Sequence, residues 1–438
     1  MTASTYLKSR AGFGGKRPAR LFIGKKAGLS FSANSLSVAV VAAALSSSCI
    51  VFSEPAIADA MMILVIVMIP VLGVVRFGKA ALVNFALLAV FVALGIAGTG
   101  MSVTFDTAIT HQMVTLFLAT GAFVLAGYIA ADPIPRFSMV FWCYAISCLV
   151  ATVAAFAGYF DIVPSAFDLF TNYGRARGTF KDPNVYGAAL GPAITFTAWI
   201  MLREPAKRAY VGGFVALPLV IGLLISFSRG AWISTGLSLA ILAGLTSMTS
   251  RRQADVRRLS IVGVAAIAAS VVLLFAVFQI EHVRSLFTER ASLDQSYDAG
   301  PDGRFGGQEK ARNLILDNPF GIGTHTFRDK FHHEEPHNVY LSMFLNAGWL
   351  GGLLYALAIV ATLVIGMRAA IVNGALQGGF VVTSAAFAGV AFEGFVIDSD
   401  HWRHFYILMA CIWGLADARE PDIDPSRRRD DPVEESPA

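Results

Sequence analysis

Charge is the first thing this sequence lacks. Asp, Glu, Lys and Arg make up 15% of its 438 residues, against 55% hydrophobic residues, and the mean hydropathy is +0.62. A soluble chain of this length does not need that much apolar surface, so a water-soluble globular enzyme is excluded and no nucleic-acid partner is expected. Cysteine is scarce as well: Cys49, Cys143, Cys148 and Cys411 each fall inside an apolar stretch. That placement predicts packing thiols and excludes a disulfide framework or a thiolate zinc site. No repeat of 20–50 residues is present, so a solenoid is excluded. Gly12-Phe-Gly14-Gly15 precedes no strand-to-helix pattern, and nucleotide binding there is unsupported.

What is present is a succession of apolar stretches of the length that crosses a bilayer, roughly 17–25 residues. The reading is an all-α, polytopic membrane protein with about twelve transmembrane helices. The spans are expected at 35–52, 59–75, 80–98, 113–130, 137–158, 185–202, 209–227, 231–249, 260–279, 339–367, 378–397 and 404–416. Residues 1–34 form a basic tail carrying Lys8, Arg10, Lys16, Arg17, Arg20, Lys25 and Lys26, suited to anionic membrane lipids. Nine spans occupy 35–279, a polar loop fills 280–336, three spans occupy 337–416, and 417–438 reads as a disordered tail.

The basic residues set the orientation. With the amino terminus inside, 22 of the 34 Lys and Arg lie inside and 12 outside, seven of those 12 in the long loop. The short loops then split 22 to 5, which places both termini in the cytoplasm and the loop outside. The outer loop carries ten acids against seven Lys or Arg, with His282, His325, His332 and His333. Residues 306–317 are expected to be a short helix, stopped by Asn318-Pro319 and Gly321-Ile-Gly323.

Polar groups at the edges of apolar spans are the functional pointers in such a chain, because burying them is costly. His337-Asn338 opens the stretch from Val339 to Met367, and an imidazole at that boundary can exchange protons near neutral pH. The competing reading is an interfacial helix cap. Arg229 lies in a tight outer reversal, Ser226-Phe-Ser-Arg229-Gly230, with Arg177 and Arg304 on the same face. Three guanidinium forks around one outer cavity suit a diphosphate; snorkelling arginines are the plainer alternative. Glu393, near the outer end of the eleventh span, is expected to pair with an arginine or accept a proton.

His333-Glu-Glu-Pro336-His337 spells the H-E-x-x-H pattern of zinc proteases. Pro336 is tolerated only in the first turn of a helix, so the segment before it should not be helical and no metal is assigned. Pro336 is instead expected to start the helix that carries His337. Asp398, Asp400, His401, Arg403 and His404 occupy a short outer turn that could line the same cavity, with solvated-loop residues as the default reading. Gly187-Ala-Ala-Leu-Gly191 has the small-xxx-small spacing of helix packing.

Taken in order, Arg177-Gly-Thr-Phe-x-x-Pro183-Asn184, Ser228-Arg229-Gly230-Ala231, Gly303-Arg304, Asn318-Pro319-Phe-Gly321-Ile-Gly323 and His337-Asn338-x9-Gly348-x-x-Gly351 resemble the O-antigen ligase and polymerase superfamily. The resemblance covers roughly 165–370; the first five spans match only in hydropathy. It implies a GT-C type glycosyltransferase of the bacterial inner membrane that inverts the anomeric centre and needs no metal, nucleotide sugar or other cofactor. The implied donor is a glycan on undecaprenyl diphosphate at the periplasmic face. The implied acceptor is lipid A–core for a ligase, or a second lipid-linked glycan for a polymerase of O-antigen or exopolysaccharide. His337 would be the general base, with Arg229 and Arg304 at the leaving diphosphate, while Arg177, Asn338, Asn184 and Glu393 would bind substrate. A twelve-helix secondary transporter is the alternative, distinguished by two related halves and helices interrupted at midplane.

Overall fold

The structure, a computed structural model, describes residues 27–250, 253–277, 279, 300, 303–372 and 374–419. His282, most of the first half of the long loop and the ends of both tails lie outside the described residues. Among the described residues the long helices are α1 (Ala27–Ser46), α2 (Ile57–Val71), α3 (Lys79–Gly98), α4 (Phe105–Ala131) and α5 (Pro133–Tyr159). After the short α6 (Ala166–Phe170) come α7 (Pro183–Arg203), α8 (Ala206–Ile225), α9 (Arg229–Thr249) and α10 (Gln253–Val277). Then follow α11 (Arg304–Asp317), α12 (Val339–Ile371), α13 (Gln377–Glu393) and α14 (Arg403–Asp417). The only strands among the described residues are β1 (Thr171–Asn172) and β2 (Arg175–Ala176), paired antiparallel.

The molecule is all-α, and a helix overlaps each stretch expected as a span. Seven of them, α3, α4, α5, α7, α8, α9 and α12, are long and apolar enough to cross a membrane. Others are shorter: α13 has 17 residues and α14 has 15. At about 1.5 Å per residue α14 covers roughly 22 Å, less than a hydrocarbon core of about 30 Å. It can be short because it meets protein rather than lipid. Every residue from His404 to Leu415 is buried, as befits a helix that is apolar on all sides and central to a bundle. It packs on α4 and α13, while α3 lies along α12 and α7 along both α8 and α9. Outward-facing side chains are apolar too, among them Val71, Leu82, Phe214, Ile233, Met248 and Leu353. Water would not tolerate that belt, whereas lipid tails are indifferent to it.

Polar contacts between helix ends sort into two sets, as an up-and-down bundle requires. In one set, Arg136 donates to the carbonyls of Val74 and Tyr128, and Asp417 accepts from the Ala80 and Ala81 amides at the start of α3. A carboxylate on the first free N–H groups of α3 also complements that helix's dipole. Arg203 with Thr249 and Arg258 with Glu204 belong to the same set. In the other set, Asp59 meets Arg403, Gln112 meets Thr324, and Val339 meets Gly394. Gly187 and Gly191 let α7 approach α9: a β-carbon at either would lie 2.7–2.8 Å from Ser226 Oγ or Thr235 Oγ1. The small-residue spacing is therefore a packing device.

Two local expectations need adjusting. Helix α12 starts at Val339 rather than at Pro336, because His337 is left-handed (φ 51°) and Asn338 takes the cap, accepting from the Leu341 amide. And α12 is interrupted at Gly348, whose φ of 70° and ψ of −175° break the hydrogen-bond ladder. The loop after α11 fills the break. Ile322 N–H donates to the Leu345 carbonyl (2.8 Å) and Trp349 N–H to the Pro319 carbonyl (2.9 Å). One lost intrahelical bond is replaced by two to the loop.

Candidate active site

The turn between α13 and α14 is the meeting point of the site. Gly394 O accepts from the Val339 amide, which fixes the start of α12 against the end of α13. Gln308, one turn into α11 from Arg304, donates to the carbonyls of His337 (3.3 Å) and Phe395 (3.5 Å). Gly230, next to Arg229 at the start of α9, lies against Glu393: a β-carbon there would be 3.2 Å from Glu393 Oε1. Three separated segments, carrying Arg229, Arg304 and His337, thus converge on residues 393–396.

His337 Nε2 lies 2.9 Å from Glu334 Oε2. An ionised carboxylate only accepts, so in this pair the imidazole nitrogen is the donor and Glu334 orients the ring. Asn338 is 7% exposed, with its amide oxygen committed to the α12 cap. Glu393 is 2% exposed and accepts from Ser234 Oγ at 2.7 Å, so its documented partner is a hydroxyl of α9.

Arg177 is half-buried and donates to the carbonyls of Lys181 (3.2 Å) and Asp168 (3.4 Å). Arg175, two residues earlier, is the arginine that faces the bundle. It is buried, donating from Nε to the Ser226 carbonyl (2.8 Å) and from Nη2 to Asn184 Oδ1 (2.6 Å). Asn184 therefore orients Arg175, itself held by the Asp182 cap of α7. The sequence flagged this segment but not which of its two arginines points inward.

A cavity of about 260 Å³ opens beside this frame. Its lining includes Glu54, Lys181, Asp398, Asp400, His401 and Arg403. The turn expected to be solvated is instead cavity wall, because the protein covers it: Asp400, Trp402 and His404 are each under 10% exposed. Ser342 Oγ donates to Asp398 Oδ1 at 2.6 Å, tying that wall to the helix that follows His337. Burial pushes the Asp398 carboxyl up to about 6, with the Ser342 hydroxyl working against it. Burial opposes ionisation of Asp400 as well, but the imidazoles of His401 and His111 hold its carboxyl well below the usual range. Burial pushes the His401 imidazole down to about 4.

The H-E-x-x-H spelling does not form a helical metal face. His337 lies outside α12 and is engaged by Glu334, while the His333 ring packs against His332 at a tilt, 4.4 Å between ring centres. Sequence reasoning missed Arg175, Glu334 and Gln308. Glu334 had a signal, an acid three residues before a boundary histidine; Gln308 had none.

Residues 213–356 match the model of a protein family described as O-antigen ligase. The matched segment runs from α8 into α12 and contains Arg229, Arg304, His337 and Asn338; Arg177, Asn184 and Glu393 lie outside it. No curated protein matches the chain.

Proposed function

We propose that this membrane protein of the O-antigen ligase and polymerase superfamily is an inverting glycosyltransferase whose transfer step needs no metal. Its donor is a glycan on undecaprenyl diphosphate, presented at the periplasmic face of the bacterial inner membrane. Its acceptor is a sugar of lipid A–core or of a second lipid-linked glycan. The observation that supports this reading is the convergence on one turn of the three segments that carry Arg229, Arg304 and His337, up to 108 residues apart in sequence.

An acceptor hydroxyl attacks the anomeric carbon while the bond to the lipid diphosphate breaks. His337 takes the hydroxyl proton, with Glu334 steadying the imidazolium that forms. Negative charge grows on the departing diphosphate, and fixed guanidinium groups aimed at it lower the barrier. Arg229 and Arg304 serve there. The segment 175–184 contributes a third cation, Arg177 at its rim, with Arg175 behind it braced by Asn184. Asn338 holds the base in place as the cap of α12, and Glu393 supports the start of α9.

The interruption of α12 does not favour a transporter. Transporter helices unwind to line a midplane binding site, whereas this break is filled by residues 319–322 of the chain itself.

The direct test supplies purified protein with a glycan on undecaprenyl diphosphate and an acceptor, and follows the glycan by gel mobility. His337→Ala is expected to lower turnover by about 10²–10⁴. Unchanged turnover in that variant would remove the base assignment. The envelope of a deletion strain separates the two activities: free lipid A–core with accumulated polymer for a ligase, single-repeat capping or lost exopolysaccharide for a polymerase.

A further inference from the structure

A cluster beside the cavity has no role in the transfer just described. His111 lies in the second turn of α4, and Asp400 and His401 lie in the turn before α14. His111 Nε2 is 2.9 Å from Asp400 Oδ2, and His401 Nε2 is 3.6 Å from the same oxygen. The three ligand atoms all fall within 4.8 Å of one another. A tetrahedral ion with bonds near 2.0–2.2 Å needs ligand atoms about 3.3 Å apart, so the two measured separations straddle the required edge.

The carboxylate supplies a second, independent sign. Asp400 is 5% exposed, and its Oδ2 meets both imidazoles at ion-pair distance with neither ring N–H well aligned on it. Two imidazoles crowding one buried carboxylate oxygen form an arrangement suited to three atoms sharing one ion. We propose that His111 Nε2, Asp400 Oδ2 and His401 Nε2 bind one divalent ion of the zinc class, clamping α4 to the turn that carries Asp398.

The donor set selects the ion. Two imidazoles and one carboxylate suit zinc and its neighbours, whereas magnesium and calcium prefer all-oxygen shells. Thr115 Oγ1, now 3.0 Å from His401 Nε2, gives up that hydrogen bond when the ring turns to the ion, and its hydroxyl or a water fills the fourth position. The ion's work is mechanical. Asp398, on the clamped turn, holds Ser342 one turn into α12, so the clamp steadies the frame that presents His337. This site is independent of the transfer chemistry and stands or falls separately.

The test uses the full chain in detergent, stripped with a chelator and reloaded with zinc chloride or magnesium chloride alone. Bound metal is counted by elemental analysis after gel filtration, and thermal unfolding is recorded alongside. The wild type is expected to retain about one zinc per chain and no magnesium, with a higher unfolding temperature in zinc. Asp400→Asn and His401→Gln should each lose the bound zinc and the thermal response. Substoichiometric zinc in the wild type, or full zinc retention in both variants, overturns the site. Should either variant fail to fold, the wild type decides alone: zinc that neither binds stoichiometrically nor raises its unfolding temperature ends the proposal.

Discussion

Asp59 and Arg403 sit at the starts of α2 and α14, 344 residues apart, and offer a measurable test of how the bundle is held together. Arg403 donates from Nε to Asp59 Oδ1 (2.9 Å) and from Nη2 to Oδ1 (2.7 Å) and Oδ2 (2.8 Å). Asp59 Oδ2 also accepts from the Ala56 amide, so the carboxylate caps its own helix while it binds the guanidinium. Removing one partner of a buried pair costs about 3–5 kcal/mol, because the other charge is left without compensation. Here the side chains retain 19% and 18% of their exposure, so the lower end, about 3 kcal/mol, applies. Loss of the cap bond adds about 1 kcal/mol, giving roughly 4 kcal/mol for Asp59→Ala and roughly 3 kcal/mol for Arg403→Ala. The double variant strands no charge and is expected to lose no more than Asp59→Ala alone, at most about 4 kcal/mol, which leaves a coupling of at least about 3 kcal/mol. Denaturation by increasing detergent harshness, followed through tryptophan fluorescence, reports the four species, since Trp402 and Trp413 flank the perturbation. Additivity within about 0.5 kcal/mol would refute the argument and reduce the pair to a surface contact.

Two further expectations concern the site. Glu334→Gln keeps a partner for His337 but removes the charge that fixes its tautomer, so turnover should fall at least about tenfold, equivalent to about 1.4 kcal/mol, with donor affinity unchanged; equal turnover would show that Glu334 does not steady the base. Gly348→Ala places a methyl group 2.6 Å from the Pro319 carbonyl oxygen, at a φ of 70°. Strain of about 1–3 kcal/mol plus that collision should expel the loop from the helix break, read as faster proteolysis of residues 318–324 and a lower unfolding temperature; wild-type protease resistance would contradict the account of the break.

Element type was legible in the sequence because a bilayer demands long apolar runs, and such runs survive without any knowledge of neighbours. Helix ends were less legible. Where protein replaces lipid around α14, the helix needs only 15 residues, and hydropathy carries no record of that shielding. At His337 the local signal was ambiguous between a proline start and an asparagine cap, and the left-handed histidine decided it. The site was legible in part for a related reason. Arginines on the face that the charge count reads as outer stand out, but Arg175 and Arg177 stand out equally, and only the Ser226 carbonyl distinguishes them. In the opposite direction, His333 and His337 have a metal spacing without a shared helix, while His111 and His401 share a carboxylate without any spacing to announce it.

Motifs that look unrelated in the sequence are two halves of one joint. Gly321, at φ 83°, approaches the backbone of α12 so closely that a β-carbon would lie 2.6 Å from the Leu345 carbonyl oxygen. Gly348 returns the fit from the other side. Neither glycine can be explained from its own neighbours; each exists because the other backbone is there. The joint fixes the far end of α11, where Trp349 Nε1 also donates to the Ile315 carbonyl at 2.7 Å. The near end is fixed by Gln308 on the carbonyl of His337. A helix pinned at both ends cannot slide, so Arg304 at its start keeps a set position relative to the histidine. In the transfer proposed above, a transition state stabilised by fixed charges needs that constancy more than it needs any one strong contact. The glycines and the arginine therefore belong to one device, and the loop that carries them acts as a strut.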